Sequence, residues 1–64
     1  MADIERNENE ILRVEKKEFK GHEYIDLRIY FMGDDGDYKP TKKGVTVKPD
    51  KLDELIKHLT DLKG

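Results

Sequence analysis

Residues 22–32 read His-Glu-Tyr-Ile-Asp-Leu-Arg-Ile-Tyr-Phe-Met. Ile25, Leu27, Ile29 and Phe31 fall on one parity, Tyr24, Asp26, Arg28 and Tyr30 on the other. Successive side chains of an extended chain point to opposite faces, so this period of two predicts a half-buried β-strand, and its β-branched and aromatic residues suit one. Upstream, Leu12 and Val14 alternate with Arg13, Glu15 and Lys17, predicting a strand from about Ile11 to Phe19. Lys20-Gly21 supplies the turn between the two. Downstream, Gly33-Asp34-Asp35-Gly36-Asp37 concentrates residues that tolerate left-handed backbone angles and form Asx turns, the composition of a tight hairpin loop. A short strand, Tyr38-Lys39, a bend at Pro40-Thr41 and a fourth strand, Lys43 to Val47, complete the pattern. Four consecutive strands joined by tight turns predict an antiparallel meander.

Pro49 suits the first turn of a helix, and Leu52, Leu55, Ile56, Leu59 and Leu62 then recur on one helical face, predicting an amphipathic helix over about 49–62. Asp50, Asp53 and Glu54 near its start and Lys63 at its end complement the helix dipole, whereas Lys48 at the N-cap offers no acceptor. Five large aliphatics are many for so small a sheet: they cover the sheet, pair with a second copy, or do both. Residues 1–9 are polar, with Ile4 the one sizeable apolar side chain after Met1, and read as a flexible acidic tail before a domain at 10–64. The fold class is α+β.

Sixty-four residues make one small domain. Such a chain buries only about 60 % of the surface its unfolded form exposes, and it commonly needs a metal, disulfides or a partner subunit. Cysteine is absent, which leaves the partner. The charged fraction of 44 % raises the question of disorder, but Leu, Ile, Val and Phe make up 16 of the 64 residues and the net charge is only -2, which favours folding. There is no apolar run of membrane-spanning length, and Met-Ala-Asp-Ile-Glu-Arg does not read as a signal peptide. The expectation is a soluble intracellular protein with no membrane partner.

Catalysis has little to work with: no Cys, no Ser, and only His22 and His58 as imidazoles. A nucleophile with a base and an orienting acid is not formed, so no enzyme, cofactor or small-molecule substrate is expected. Asp34, Asp35 and Asp37 lack the order and closing Glu of a calcium-binding EF-hand loop and read as a solvated turn, so no metal is expected either.

Charge is unevenly spread. Residues 1–10 sum to -3 and residues 33–38 to -3, whereas residues 39–48, with Lys39, Lys42, Lys43 and Lys48, sum to +4. The strands and their turns therefore interleave bases with aromatics: Lys16, Lys17, Phe19, Lys20, Arg28, Tyr30, Phe31, Lys39, Lys42 and Lys43. Single-stranded nucleic acid is held by this combination, because aromatic faces stack on any base while cations track the phosphates. Phe19 has the parity of Arg13, Glu15 and Lys17 and so points to the polar face; Phe31 shares parity with Ile25, Leu27 and Ile29, which leaves it either in the core or at the ligand. Two other readings use the same residues: an RNA-binding protein, and a protein-interaction module built on the helix and an open strand edge.

Phe19-Lys20-Gly21, Ile25-Asp26-Leu27-Arg28, Tyr30-Phe31-Met32, Gly36, Lys39-Pro40, Lys43-Gly44 and Lys48-Pro49, in this order and spacing, resemble the C-terminal domain of the transcriptional coactivator family called positive cofactor 4. The resemblance covers residues from about 11 to 62. It implies a curved four-stranded antiparallel sheet with one C-terminal helix, and a homodimer formed through helix and sheet edge. Leu52, Leu55, Ile56, Leu59 and Leu62 then fall to the interface. It further implies binding of single-stranded DNA without strong sequence preference and without cofactor, in transcription or in replication and repair. Phe19 and Phe31 match stacking positions, and Arg28 and Lys43 match basic contacts. Lys17, Lys20, Lys39 and Lys42 fall at or beside other contacts. Phe31 stands where eukaryotic members carry Trp, and His22 where they carry Lys. The family's long Ser-rich N-terminal region is not seen, which resembles the short prokaryotic members; the expected location is the cytoplasm at the nucleoid in a prokaryote, or the nucleus in a eukaryote.

Overall fold

The computed structural model describes residues 2–64. Four strands, β1 (Ala2–Glu5), β2 (Glu10–Phe19), β3 (His22–Met32) and β4 (Tyr38–Val47), form one antiparallel sheet in the order β1-β2-β3-β4. A 3-10 turn (Pro49–Lys51) leads into α1 (Leu52–Leu62). The predicted sheet-plus-helix architecture is therefore present, but two strands are not the ones expected. Residues 2–5, read as flexible tail, pair along β2 from Ala2↔Val14 to Glu5↔Ile11; Met1 of that tail lies outside the described residues. An edge strand needs only backbone partners on one side, so it carries no apolar alternation to be read. The two short strands expected on either side of Pro40 are one continuous β4.

Pro40 is tolerated because β4 lies at the sheet edge, where a missing N–H removes no ladder bond on the solvent side. An irregularity absorbs the bend: Arg28 pairs with Gly44 and Tyr30 with Pro40, so Ile29 alone faces Thr41 to Lys43. The Thr41 hydroxyl donates to the Ile29 carbonyl at 2.7 Å and accepts from the Lys43 N–H at 3.2 Å, which satisfies backbone groups the ladder leaves over.

Lys20 (φ 51) and Gly21 (φ 80) both adopt the left-handed angles that a type I′ hairpin requires, and they join Phe19 directly to its cross-strand partner His22. The second loop, Gly33 to Asp37, is closed by Gly33 N–H to the Asp37 carbonyl (2.8 Å) and by Asp37 N–H to the Asp35 carboxylate (3.1 Å).

Register sorts the side chains. Ile11, Arg13, Glu15, Lys17 and Phe19 of β2 share one face with Tyr30, Arg28, Asp26, Tyr24 and His22 of β3. Leu12 and Val14 share the other with Ile29, Leu27 and Ile25, joined by Ile4 of β1 and by Val45 and Val47 of β4. Burial does not follow hydrophobicity. The buried residues are Ile11, Tyr30 and Asp26, all on the first, more polar face. Leu12, Val14, Ile25, Leu27 and Ile29 are only half-buried, and Val45 is exposed. No residue of α1 is buried, and Leu62 is 83 % exposed. Lys48 makes no side-chain cap, as its chemistry dictates. The result is a slab of 37 × 37 × 17 Å with a radius of gyration of 13.4 Å, against about 11 Å for a compact chain of this length.

Candidate nucleic-acid interface

The β2–β3 hairpin, the end of β4 and the 3-10 turn enclose an open groove of about 890 Å³ on the polar face. Lys17, Phe19, His22, Tyr24, Asp26 and Arg28 line it from the hairpin, and Thr46, Lys48 and Pro49 from β4 and the turn beyond. Phe19 is 64 % exposed, as its parity predicted. The Lys20 ammonium stands 5.3 Å from the centre of its ring, within cation–π range. The type I′ turn makes this possible, because it folds Lys20 back beside the residue that precedes it.

At the floor of the groove Asp26 is 3 % exposed. Its carboxylate accepts from Arg28 Nε and Nη2, both at 3.3 Å, and pairs with Lys17 Nζ at 3.3 Å. Burial pushes this carboxyl up, but the Arg28 and Lys17 cations outweigh it and hold the group below the ordinary carboxylate range. Lys17 is the mirror case: burial lowers its ammonium, and Asp26 raises it further still. Arg28 is fixed at a third point by donating Nη1 to the Thr41 carbonyl at 2.8 Å.

The sequence-predicted cations thus separate into two sets. Lys16 pairs with Glu23 at 2.7 Å, Lys17 and Arg28 with Asp26, and Lys39 with Asp35 at 2.8 Å. Lys20, Lys42 and Lys43 have no ion-pair partner among the described residues, and neither has the groove residue Lys48.

The aromatics separate too. Tyr30, expected at the interface, is 7 % exposed and lies under the Arg13 guanidinium, 4.4 Å from its ring centre, so it has no free face for a base. Arg13 is itself held by Asp3 of β1 at 2.8 and 3.2 Å. Phe31 is exposed but pairs with Glu10, which puts it on the face opposite Phe19 and nine residues along β3 from His22. Lys16 also falls on that second face. Sequence reasoning did not select His22, Tyr24, Thr46 and Lys48. The parity of Asp26 and Arg28 already carried the first two, whereas the last two depend on the β3–β4 register. Among the described residues no cluster of side chains is arranged to hold a metal ion, and no helix is long and apolar enough to cross a membrane.

A single antiparallel sheet of four strands ending in a helix, with an exposed phenylalanine and free lysines around its central hairpin, defines a small open-sheet α+β domain. The chain belongs to the family described as Transcriptional Coactivator p15 (PC4), whose profile matches residues 7–58. It is 40 % identical over 47 residues to the RNA polymerase II transcriptional coactivator SUB1 of Saccharomyces cerevisiae, an overlap of 72 % of this chain and 16 % of the yeast protein. The chain therefore spans about a sixth of that relative. Among solved structures it is similar to a PC4 homologue from Burkholderia pseudomallei, with a TM-score of 0.94 and 27 % identity over 98 % of this chain and 85 % of that one. The bacteriophage T5 homologue of PC4, implicated in recombination-dependent DNA replication, shares the fold at a TM-score of 0.78 and 22 % identity, over 95 % of this chain and 72 % of that one.

Proposed function

We propose that this protein binds single-stranded DNA as a homodimer, without catalysis, and serves transcription or the handling of exposed strands in replication and repair. The observation that carries this reading is Phe19: a large aromatic ring, mostly exposed, on the wall of a groove that the unpaired Lys48 also lines, with the Lys20 ammonium 5.3 Å from the ring centre. A base stacking on such a ring contributes about 1–3 kcal/mol whatever its identity. Lys20, Lys42, Lys43 and Lys48 supply phosphate neutralisation, while Lys17 and Arg28, already paired to Asp26, shape the floor. Such a protein acts at the nucleoid of a prokaryote or in the nucleus of a eukaryote.

Accessible area supports the dimer. The chain exposes 5445 Å², whereas a folded monomer of its mass exposes about 4,250 Å². The excess of roughly 1,200 Å² exceeds the ~800 Å² each partner contributes to a standard interface. Exposed apolar side chains for such an interface are present in Ile4 and Val45 of the sheet face and in Ile56, Leu59 and Leu62 of the stripe Leu52, Leu55, Ile56, Leu59 and Leu62, and a second copy would offer the same surface.

Fluorescence anisotropy with labelled oligo-dT, its duplex and oligo-U at several salt concentrations tests the reading. Strand binding should exceed duplex binding, with a log–log salt slope of about -3 per protomer for four phosphate contacts. Phe19→Ala should weaken oligo-dT binding by about tenfold or more with little change in melting temperature. Duplex binding equal to or stronger than strand binding would refute the proposal, and stronger oligo-U binding would move it to RNA.

A further inference from the structure

Arg13 and Arg28 are direct cross-strand partners on the polar face of β2 and β3. Like charges so placed destabilise a sheet unless each is compensated. Here each is. Arg13 donates Nε and Nη2 to the two carboxylate oxygens of Asp3 at 2.8 and 3.2 Å, and Arg28 donates Nε and Nη2 to those of Asp26, both at 3.3 Å. A bidentate pair fixes the plane of a guanidinium as well as its position. Each plane also rests on a support: Arg13 lies over the Tyr30 ring, and Arg28 lies over the Gly44 backbone, where only the missing β-carbon leaves room for it.

These commitments leave little for a phosphate. With the bond from Nη1 to the Thr41 carbonyl, three of the five N–H donors of Arg28 are used. Together with Lys17, the two arginines set three cations against the three carboxylates of Asp3, Glu15 and Asp26, so the patch carries no net charge. What each guanidinium still offers is its outer face, since the side chains keep 17 % and 26 % of their surface exposed. A guanidinium held in one plane stacks on the face of a nucleobase, whichever base it is.

We propose that Arg13 and Arg28 together form a second platform for unpaired bases, and that a bound strand meets it through base faces and not through phosphates. The platform lies six residues along the hairpin from the Phe19 and His22 pair, or about 20 Å. It presupposes the strand-binding reading above. It changes the part expected of Arg28 from a basic contact to a stacking surface, and it brings in Arg13, which the pattern of bases and aromatics left out.

Lysine keeps the charge of arginine and lacks its plane, so the conservative replacement separates the two kinds of contact. Anisotropy on the intact chain compares labelled oligo-dT with an abasic phosphodiester strand of the same length and charge. Arg13→Lys and Arg28→Lys should each weaken oligo-dT binding about fivefold or more, with no matching loss on the abasic strand and no change in salt slope. Oligo-dT affinity retained by both variants would make the arginines plain charges and overturn the proposal. An equal loss on the two strands would overturn it as well, by placing the arginines in phosphate contact or in the fold. Either result leaves strand binding by the wild type standing, whereas absence of oligo-dT binding by the wild type would overturn both. Arg13 is tied to the edge strand, so Arg13→Lys decides the matter if a melting curve shows that Arg28→Lys does not fold.

Discussion

The guanidinium of Arg28 lies across the backbone of Gly44, and a β-carbon at residue 44 would stand 2.7 Å from Arg28 Cζ. The two residues are cross-strand partners, and Arg28 is pinned there by Asp26 on one side and the Thr41 carbonyl on the other. Glycine at 44 is therefore what lets a long cation lie flat on the sheet and form the groove floor.

Gly44→Ala should destabilise the protein by about 1–3 kcal/mol, because the displaced arginine leaves Asp26 and the Thr41 carbonyl short of a donor. In an ordinary strand the same change would stabilise by roughly 0.5–1 kcal/mol. Urea unfolding of the two proteins decides by sign alone.

Asp26 gives the stability its acid limit. Its folded carboxyl is held below the ordinary value, so it contributes stability above about pH 4, and that contribution is lost as pH falls through the lowered folded value. Asp3, held down by Arg13, and Asp35, held down by Lys39, act in the same direction. Wild type should lose unfolding free energy between about pH 4 and pH 2, and Asp26→Asn should show a shallower loss from a lower starting point. Chemical denaturation across that range measures both.

Lys20 occupies a left-handed backbone conformation that costs a non-glycine residue about 1 kcal/mol. Lys20→Gly should therefore raise the melting temperature by a few degrees, while removing the cation beside Phe19 should weaken oligo-dT binding. Calorimetry and anisotropy on one variant should move in opposite directions; a fall in both would mean that Lys20 has a packing role.

Leu59→Glu tests the second copy. Leu59 is exposed in the single chain, so the change should cost the protomer little, yet light scattering at micromolar concentration should shift from dimer to monomer mass. A dimer that persists would place the interface elsewhere.

The long strand at residues 22–32, the Lys20-Gly21 turn and the amphipathic helix were legible because each is a local pattern. β1 was not, since Asp3 and Glu5 give it no apolar alternation and its reason to be extended is the edge of β2, ten residues away. β4 was divided at Pro40 because the residues that absorb the bend, Thr41 and Ile29, are partners only through register. At the site, parity placed Phe19 correctly. It placed Tyr30 on the right face and misjudged its access, because the Arg13 that covers it belongs to another strand. The apolar face read as core is only half-buried in the protomer, and no residue of α1 is buried.

Every strand pairs only with its neighbours in sequence, and no paired residues are more than 22 apart. Little loop-closure entropy stands in the way of any one pairing, so the sheet can grow hairpin by hairpin from Lys20-Gly21 outward. Folding of the protomer is then a fast unimolecular event, and the proposed association would be a slower, concentration-dependent one, which would separate the two in time. A newly made chain at low abundance would pass through an interval in which its groove is already formed and its apolar side is still bare.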